Sequence, residues 1–416
     1  MDVGIWEELY RDISVPTLQN TVVGLNVNLD RILSVTPDLL ESPLFHHPDI
    51  ADLYSRLLQS MPYYTAEEWF ISDPGQYRRF TRSFASFGSL SLGGQAGIAA
   101  LHLARLGVPR VVCAAPFHGP ESAAILKRSG ILVPEFSTGN APAGDIIHLV
   151  FEYPAGLVPP APRVIPRNNR FIVSPVHEPA TALIPKDRME GFLKEIAPCN
   201  RAFLSGYQYL SSDEEYSAAR DQILRLKDRN PSLRIHIEWV SVSDETIIRN
   251  MICHILPVAD SLGLNENELA LMLRSLGLLP IHEPKNPPLT PVQVMEGALT
   301  LCRNLGLKRI HIHTFGYYVL VIRRNGINAE LSRNALLFAS REVAHAANGT
   351  GTDLSEAGIR AVGMAEAAFG PASSPGIYPL KSHVLVVVPT LIVRNITRTT
   401  GLGDILSSTA LVADEF

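Results

Sequence analysis

Long apolar runs are missing from this sequence. No uninterrupted stretch approaches the ~20 residues that a membrane-spanning helix needs, which argues against a membrane protein. The start, M-D-V-G-I-W-E-E-L-Y, carries acidic residues where a secretory signal carries basic ones, and no apolar segment follows it. Cysteine is scarce. The four thiols, Cys113, Cys199, Cys253 and Cys302, are too far apart for a C-x-x-C metal motif, and they are expected to be free in a reducing cytoplasm. Positive charge is not in excess: 36 Lys and Arg against 41 Asp and Glu give a net charge of −5, which argues against a nucleic-acid partner. Small anionic ligands stay open, because a local site can hold them. What is abundant is apolar residue content, 46% of 416 residues, enough for a large α/β domain and a smaller companion. The expected partners are small molecules, and the sequence carries no signal of oligomeric state.

Six short apolar runs have the length and composition of buried strands: 22–25, 111–113, 202–204, 235–237, 310–312 and, most strongly, 384–388. Helical patterns cover 97–106, 214–229, 243–258, 265–275 and 292–304. Alternation of this kind predicts parallel strands with helices on both faces. The expected fold class is therefore α/β, with a large three-layer α/β/α domain made of 1–28, 93–138 and 181–416. Residues 29–92 and 139–180 break the rhythm with proline, aromatics and alternation, and 145–153 has the pattern of a strand. These two segments are expected to form a smaller β-rich lid.

Near the C-terminus the chain reads R-T-T-G-L-G-D-I-L-S-S-T-A-L-V, 398–412. A glycine-rich turn at a helix start exposes backbone N–H groups and lets an anion approach, so Gly401, Leu402 and Gly403 have the chemistry of a phosphate cradle. Asp404 is then either a helix cap or a general base toward a hydroxyl beside that phosphate. No Gly-Lys-Ser/Thr follows, so this is not a Walker loop. Earlier, Asn26, Asn28 and Asp30 alternate at the end of a strand and point to one side, at the strand end where ligands bind in open α/β sheets. Gly94 and Gln95 open a helix of small residues, which suits close approach to a ligand or to a packed strand. In the middle, His236 and Glu238 share a strand face. Asn265 and Glu268 share a helix face at i, i+3. Together with Glu238 they make an oxygen-rich set suited to Mg²⁺, although N-E-N-E is equally an ordinary acidic helix start.

The order G-x-N-x-N-x-D, G-G-Q-A-G, N-R-F-I, H-x-E, N-E-x-E and G-x-G-D resembles the ADP-dependent sugar kinases, the ADP-dependent phosphofructokinases and glucokinases of the ribokinase-like superfamily. The resemblance runs from Val22 to the C-terminus. It implies a ribokinase-like core with a lid over the sugar, ADP as phosphoryl donor and AMP as product. Carried onto this sequence, it implies that Asp404 is the catalytic base and that Gly401, Leu402 and Gly403 form the anion hole. Arg170 would face the phosphoryl group. Glu238 and Glu268 would be tied to Mg²⁺ or another divalent cation, with Asn265 on the cofactor side and Val393 holding adenine through its backbone. Asn28, Asp30, Gly94 and Gln95 would contact the sugar, with Glu68 and His148 added from the lid.

For the acceptor the sequence offers two signals. Glu67 and Glu68 lie near the position of a sugar-binding glutamate in the glucokinases. Arg163, Arg167 and Arg170, with Arg78, Arg79 and Arg82, form clusters that suit either a sugar phosphate or a solvated basic face. The expectation is phosphorylation of fructose 6-phosphate to fructose 1,6-bisphosphate in glycolysis, with glucose as a possible second acceptor. The competing readings are an ATP-dependent ribokinase-like sugar or nucleoside kinase, and a catalytically silent nucleotide- or sugar-binding regulator.

Overall fold

The computed structural model describes every residue except 1–2, 63–66, 117, 135–143, 158–164, 166–167, 177–181, 241, 243, 280–287, 325–326 and 397–399. Strands buried on both faces must be apolar throughout, and the short runs of the sequence behave in this way. Thr21–Gly24, Val111–Cys113 and Arg201–Leu204 are buried at every position. They belong to a nine-stranded sheet. Its order is Ile377–Pro379, His383–Pro389, Tyr317–Arg323, Arg309–His313, Ser261–Asn265, Arg234–Glu238, Arg201–Leu204, Thr21–Gly24 and Val111–Cys113.

The six strands from Val111–Cys113 to Arg309–His313 pair in parallel, as alternation predicts. The remaining three do not. Tyr317–Arg323 returns antiparallel, followed by antiparallel pairings to His383–Pro389 and Ile377–Pro379. The reason lies in the connection: only residues 314–316 separate Arg309–His313 from Tyr317–Arg323. A parallel crossover takes a dozen or more residues, so the chain can only turn back. Helices Gln95–Leu106, Ala329–Ala346 and Leu402–Ala413 pack together on one face, and Glu266–Ser275, Pro291–Asn304 and Glu356–Phe369 on the other. Among the described residues no helix is long and apolar enough to cross a membrane.

A second sheet has the order Glu67–Ile71, Asn169–Pro175, Ile147–Tyr153, Asn28–Ser34, Ser89–Gly93. It is not purely β. Leu33, Leu149, Phe151, Phe171 and Val173 form its back face and pack on Leu53 and Leu57 of the helix Ala51–Ser60, on Phe80 of the helix Pro74–Ser83 and on Phe84, which caps it. Side chains alternate along a strand, so a polar set is left on the opposite face: Asn28 and Asp30, His148 and Glu152, Arg170, and Glu68. Most of that set lines the cleft between the two sheets.

Two expected elements shift, and one helix was not expected. The helix expected over 243–258 is an α-helix only at Glu245–Asn250 and continues as a π turn, Met251–Ile255, and a 3-10 turn, Leu256–Val258. Asn265 closes a strand and caps the next helix from outside. The long helix Ala329–Ala346, absent from the sequence reading, packs beside the C-terminal helix on the same face of the sheet.

Candidate active site

Five parallel strands end at one cleft of about 1290 Å³, which the smaller sheet covers from the other side. At its floor the chain enters the helix Leu402–Ala413 through Gly401, whose φ of 75° is left-handed. A side chain there is excluded twice: by that backbone conformation, and because a Cβ would stand 2.7 Å from Ile98 Cδ1. Gly403 faces His313 so closely that a Cβ would lie 3.0 Å from its Nε2. The first-turn N–H groups of a helix have no acceptor within the helix, and the helix dipole adds partial positive charge there. Gly401, Leu402, Gly403 and Asp404 all line the cleft, and Asp404 is half-buried there rather than out in bulk solvent.

A buried polar chain runs under this turn. Arg309 Nη1 donates to Ser261 Oγ at 3.2 Å, and Ser261 Oγ lies 2.8 Å from His236 Nδ1. His236 Nε2 lies 3.0 Å from Glu238 Oε2. Burial holds the His236 imidazole well below its usual pKa, with Arg309 and His313 adding to the effect. The ring is therefore neutral. Donation from Ser261 to Nδ1 and from Nε2 to the carboxylate satisfies both nitrogens. Glu238 Oε1 accepts from Ser407 Oγ at 3.1 Å. Burial pushes the Glu238 pKa well above the usual carboxylate range, and neighbouring Asp404 and Glu268 push it further. Three carboxylates therefore converge at one end of the cleft.

Asn265 and Glu268 have a structural task as well as a place in the cleft. Asn265 Oδ1 accepts from the Asn267 and Glu268 N–H groups at 2.9 and 3.0 Å, and Glu268 Oε2 accepts from the Asn265 N–H at 2.8 Å. This is a complete capping box. Among the described residues no three His, Cys, Asp or Glu side chains come close enough to clamp a metal ion directly. The carboxylate set does fit an ion bound mostly through water, the habit of Mg²⁺, and a cation there would relieve the repulsion at Glu238.

On the covering sheet, Asn28 Nδ2 donates to Asp30 Oδ1 at 2.7 Å, and Asp30 stands opposite His148 in parallel register. Gly93 leaves the space that Asp30 fills. Gly94 caps the helix Gln95–Leu106 at φ 71°, and Gln95 Oε1 accepts from Asn26 Nδ2 at 2.5 Å. Glu68 Oε1 accepts from Ser174 Oγ at 2.5 Å. Burial raises the Glu68 pKa, while the Ser174 bond and nearby Arg170 act to lower it. Val393 lies opposite Thr352 in a two-stranded ribbon. Apolar lining residues Phe315, Val343, Ala344 and Ala347 come from the elements around it.

All fifteen site residues expected from the sequence line this cleft. The arginine clusters do not. Arg78, Arg79 and Arg82 lie exposed on the helix Pro74–Ser83, outside the lining, because that helix covers the back of the smaller sheet. Arg163 and Arg167 lie outside the described residues. Arg170 is the single cationic side chain among the described lining residues. The sequence reading also passed over Tyr209, Trp239, His313 and Phe315, which line the cleft at or beyond the ends of Arg201–Leu204, Arg234–Glu238 and Arg309–His313. Their position at parallel-strand ends was the available signal.

Known proteins resemble this chain over nearly its whole length. Residues 19–413 match the conserved region of the ADP-specific phosphofructokinases and glucokinases. An ADP-dependent glucose/glucosamine kinase of Pyrococcus furiosus is 29% identical over 98% of both chains. An ADP-specific phosphofructokinase of Methanosarcina acetivorans is 28% identical over 99% of this chain and 98% of its own. A solved ADP-dependent kinase in complex with fructose-6-phosphate and ADPβS superposes with a TM-score of 0.80 at 26% identity, over 99% of this chain and 98% of its own. With 19–413 matched and the cleft in place, this chain belongs to the ADP-specific phosphofructokinase/glucokinase family.

Proposed function

We propose that this protein transfers the β-phosphoryl group of ADP to a hexose hydroxyl and releases AMP. The observation that carries the reading is the Gly401-to-Asp404 turn at the floor of a cleft whose other wall holds Asn28, Asp30, His148 and Arg170. A sugar hydroxyl is a weak nucleophile. The Asp404 carboxylate accepts its proton as the new O–P bond forms, a contribution of typically 10²–10⁴-fold. The N–H groups of the turn and the Arg170 guanidinium stabilise the charge on the transferring group, and the arginine fork suits phosphate oxygens. Asn28, Asp30, Gly94, Gln95 and His148 hold the sugar. The ribbon around Val393 holds the adenine. Glu238, Glu268 and Asn265 would hold Mg²⁺, which when bound neutralises diphosphate charge. Closure of the smaller sheet excludes water, the competing acceptor. The proposal includes a cytoplasmic setting and a place in glycolysis; the free thiols among the described residues agree with a reducing compartment.

Fructose 6-phosphate is the first acceptor in this reading, since the superposed kinase carries that sugar and the Methanosarcina relative is named for it. A second acceptor, glucose, has its own support. Asp30, Glu67 and Glu68 line the sugar side of the cleft against one described cation, Arg170. A like-charge pair 4 Å apart costs about 4 kcal/mol at an effective dielectric of 20, which favours a neutral sugar near those acids. Steady-state kinetics with glucose and fructose 6-phosphate, each with ADP and then ATP, test the proposal. Turnover with ADP is expected to exceed turnover with ATP. Preference for ATP would return the chain to the wider kinase class, and no turnover with any pair would favour a silent binding protein.

A further inference from the structure

The turn that holds the phosphoryl group is tied to the covering sheet through a side chain outside the reacting set. Thr400 directly precedes Gly401, and its hydroxyl donates to Glu152 Oε1 at 2.7 Å. Thr400 is 8% exposed, so water competes little for the bond. Glu152 belongs to Ile147–Tyr153 of the smaller sheet, two positions beyond Val150 and four beyond His148 on the same face. In the antiparallel register Glu152 stands directly opposite Arg170, close enough for the two side chains to influence each other. One carboxylate is thus placed between the loop that begins the anion cradle and the strand that carries the phosphoryl-facing arginine.

We infer that the Thr400–Glu152 hydrogen bond is a latch between the two sheets, and that both residues are positioning residues for phosphoryl transfer. The bond holds Ile147–Tyr153, with its neighbour Asn169–Pro175, over the turn at Gly401. In doing so it sets the resting balance between a closed, binding-competent cleft and an open one. Neither residue touches a reacting atom. Thr400 acts through the backbone of the cradle, and Glu152 acts through the strand pair that carries His148 and Arg170. Apparent sugar affinity is the intrinsic affinity scaled by the closed fraction. Loss of the latch therefore raises the sugar KM, while saturating sugar drives closure and restores kcat. The inference rests on the kinase reading for its kinetic consequences, but not for its structural one.

The test uses the full chain carrying Thr400→Val, which keeps the shape and removes the donor, and Thr400→Ser, which restores the donor. Hydrogen exchange is measured without ligands on peptides spanning 147–153 and 400–406, and kinetics are measured with ADP and the better hexose. Thr400→Val is expected to exchange faster in both peptides. Its sugar KM should rise about tenfold, the ratio that loss of one hydrogen bond to a charged group corresponds to, with kcat within about twofold of wild type. Thr400→Ser should return exchange and KM toward wild type. Unchanged exchange in Thr400→Val would overturn the latch, and so would a Thr400→Ser variant as perturbed as Thr400→Val, since the hydroxyl would then not be the cause. A wild-type protein that fails to phosphorylate any hexose would sink the kinase reading alone; the exchange measurements would still decide on the latch.

Discussion

Gly401 shows how little freedom a single residue has at this helix start. Its φ of 75° and the 2.7 Å approach of a virtual Cβ to Ile98 are independent constraints. Alanine there is expected to cost about 1–3 kcal/mol from backbone strain alone. By moving the N–H donors it should also lower kcat by about 10²–10³, the effect of losing an aligned oxyanion donor. Urea unfolding and kinetics on Gly401→Ala check both, and wild-type kcat would show that the turn does not hold the transferring group. The companion substitution Asp404→Asn removes the proposed base while preserving shape. Hexose binding by calorimetry should survive while turnover falls about 10²–10⁴-fold. The place of these positions at a helix start was legible in the sequence, because a glycine pair precedes an apolar run there, while the choice between a capped turn and an anion cradle was not. Nor were Tyr209, His313 and Phe315. An aromatic or histidine at a strand end looks the same in sequence whether it faces the core or a ligand, and only the nine-strand order puts those ends together.

At the scale of elements, the parallel half of the sheet was legible because strands buried on both faces leave continuous apolar runs. The antiparallel edge depended on the length of the connection at 314–316, a signal with meaning only once both flanking strands are recognised. The helix Leu402–Ala413 is buried from Ile405 to Ala413, including Ser407, Ser408 and Thr409, so its sequence lacks the polar stripe that marks a surface helix. The start of the helix Glu266–Ser275 carried two readings in the sequence, acidic cap and ion site, and the structure gives Glu268 a part in the first while leaving it in the cleft. Substitution separates them. Glutamine suits the reciprocal position of a capping box, as Gln293 does for Thr290 in this same chain. Glu268→Gln keeps the cap and relieves the repulsion at Glu238, so it should not lower stability, while raising the Mg²⁺ concentration that gives half-maximal rate. Asn265→Ala removes the cap and should cost about 1 kcal/mol. If Glu268→Gln responds to Mg²⁺ as wild type does, the carboxylate serves the cap alone.

For the whole molecule, the interior beneath the C-terminal helix makes stability depend on pH. His236, His311 and His313 share one face of the main sheet, with Arg309 on the same face. Burial is the first cause in lowering all three pKa values, His313 to about 4; Arg309 and the neighbouring rings add to it at His236 and His311. An unfolded histidine titrates near 6.5. Because the folded pKa values are lower, the unfolded chain binds more protons as pH falls below about 6.5. Their contribution is complete above that value and is lost as pH falls below it, for His313 down to about 4. Glu68 and Glu238 act in the opposite sense. Their folded pKa values are raised, so their contribution is complete below the unfolded glutamate value, ~4.3, and is lost as pH rises through the folded value. The two trends overlap, and His311 separates them. It is fully buried, and neither ring nitrogen has a hydrogen-bond partner among the described residues. Leucine removes two unsatisfied polar atoms together with the titration. His311→Leu should match or exceed wild-type stability at pH 7.5, and its advantage should widen at pH 5, when the unfolded wild-type chain gains a proton that the folded one refuses. Calorimetric midpoints at the two pH values measure this. A constant gap between variant and wild type would mean that His311 takes up its proton in the folded protein too, and that the interior beneath the helix admits charge.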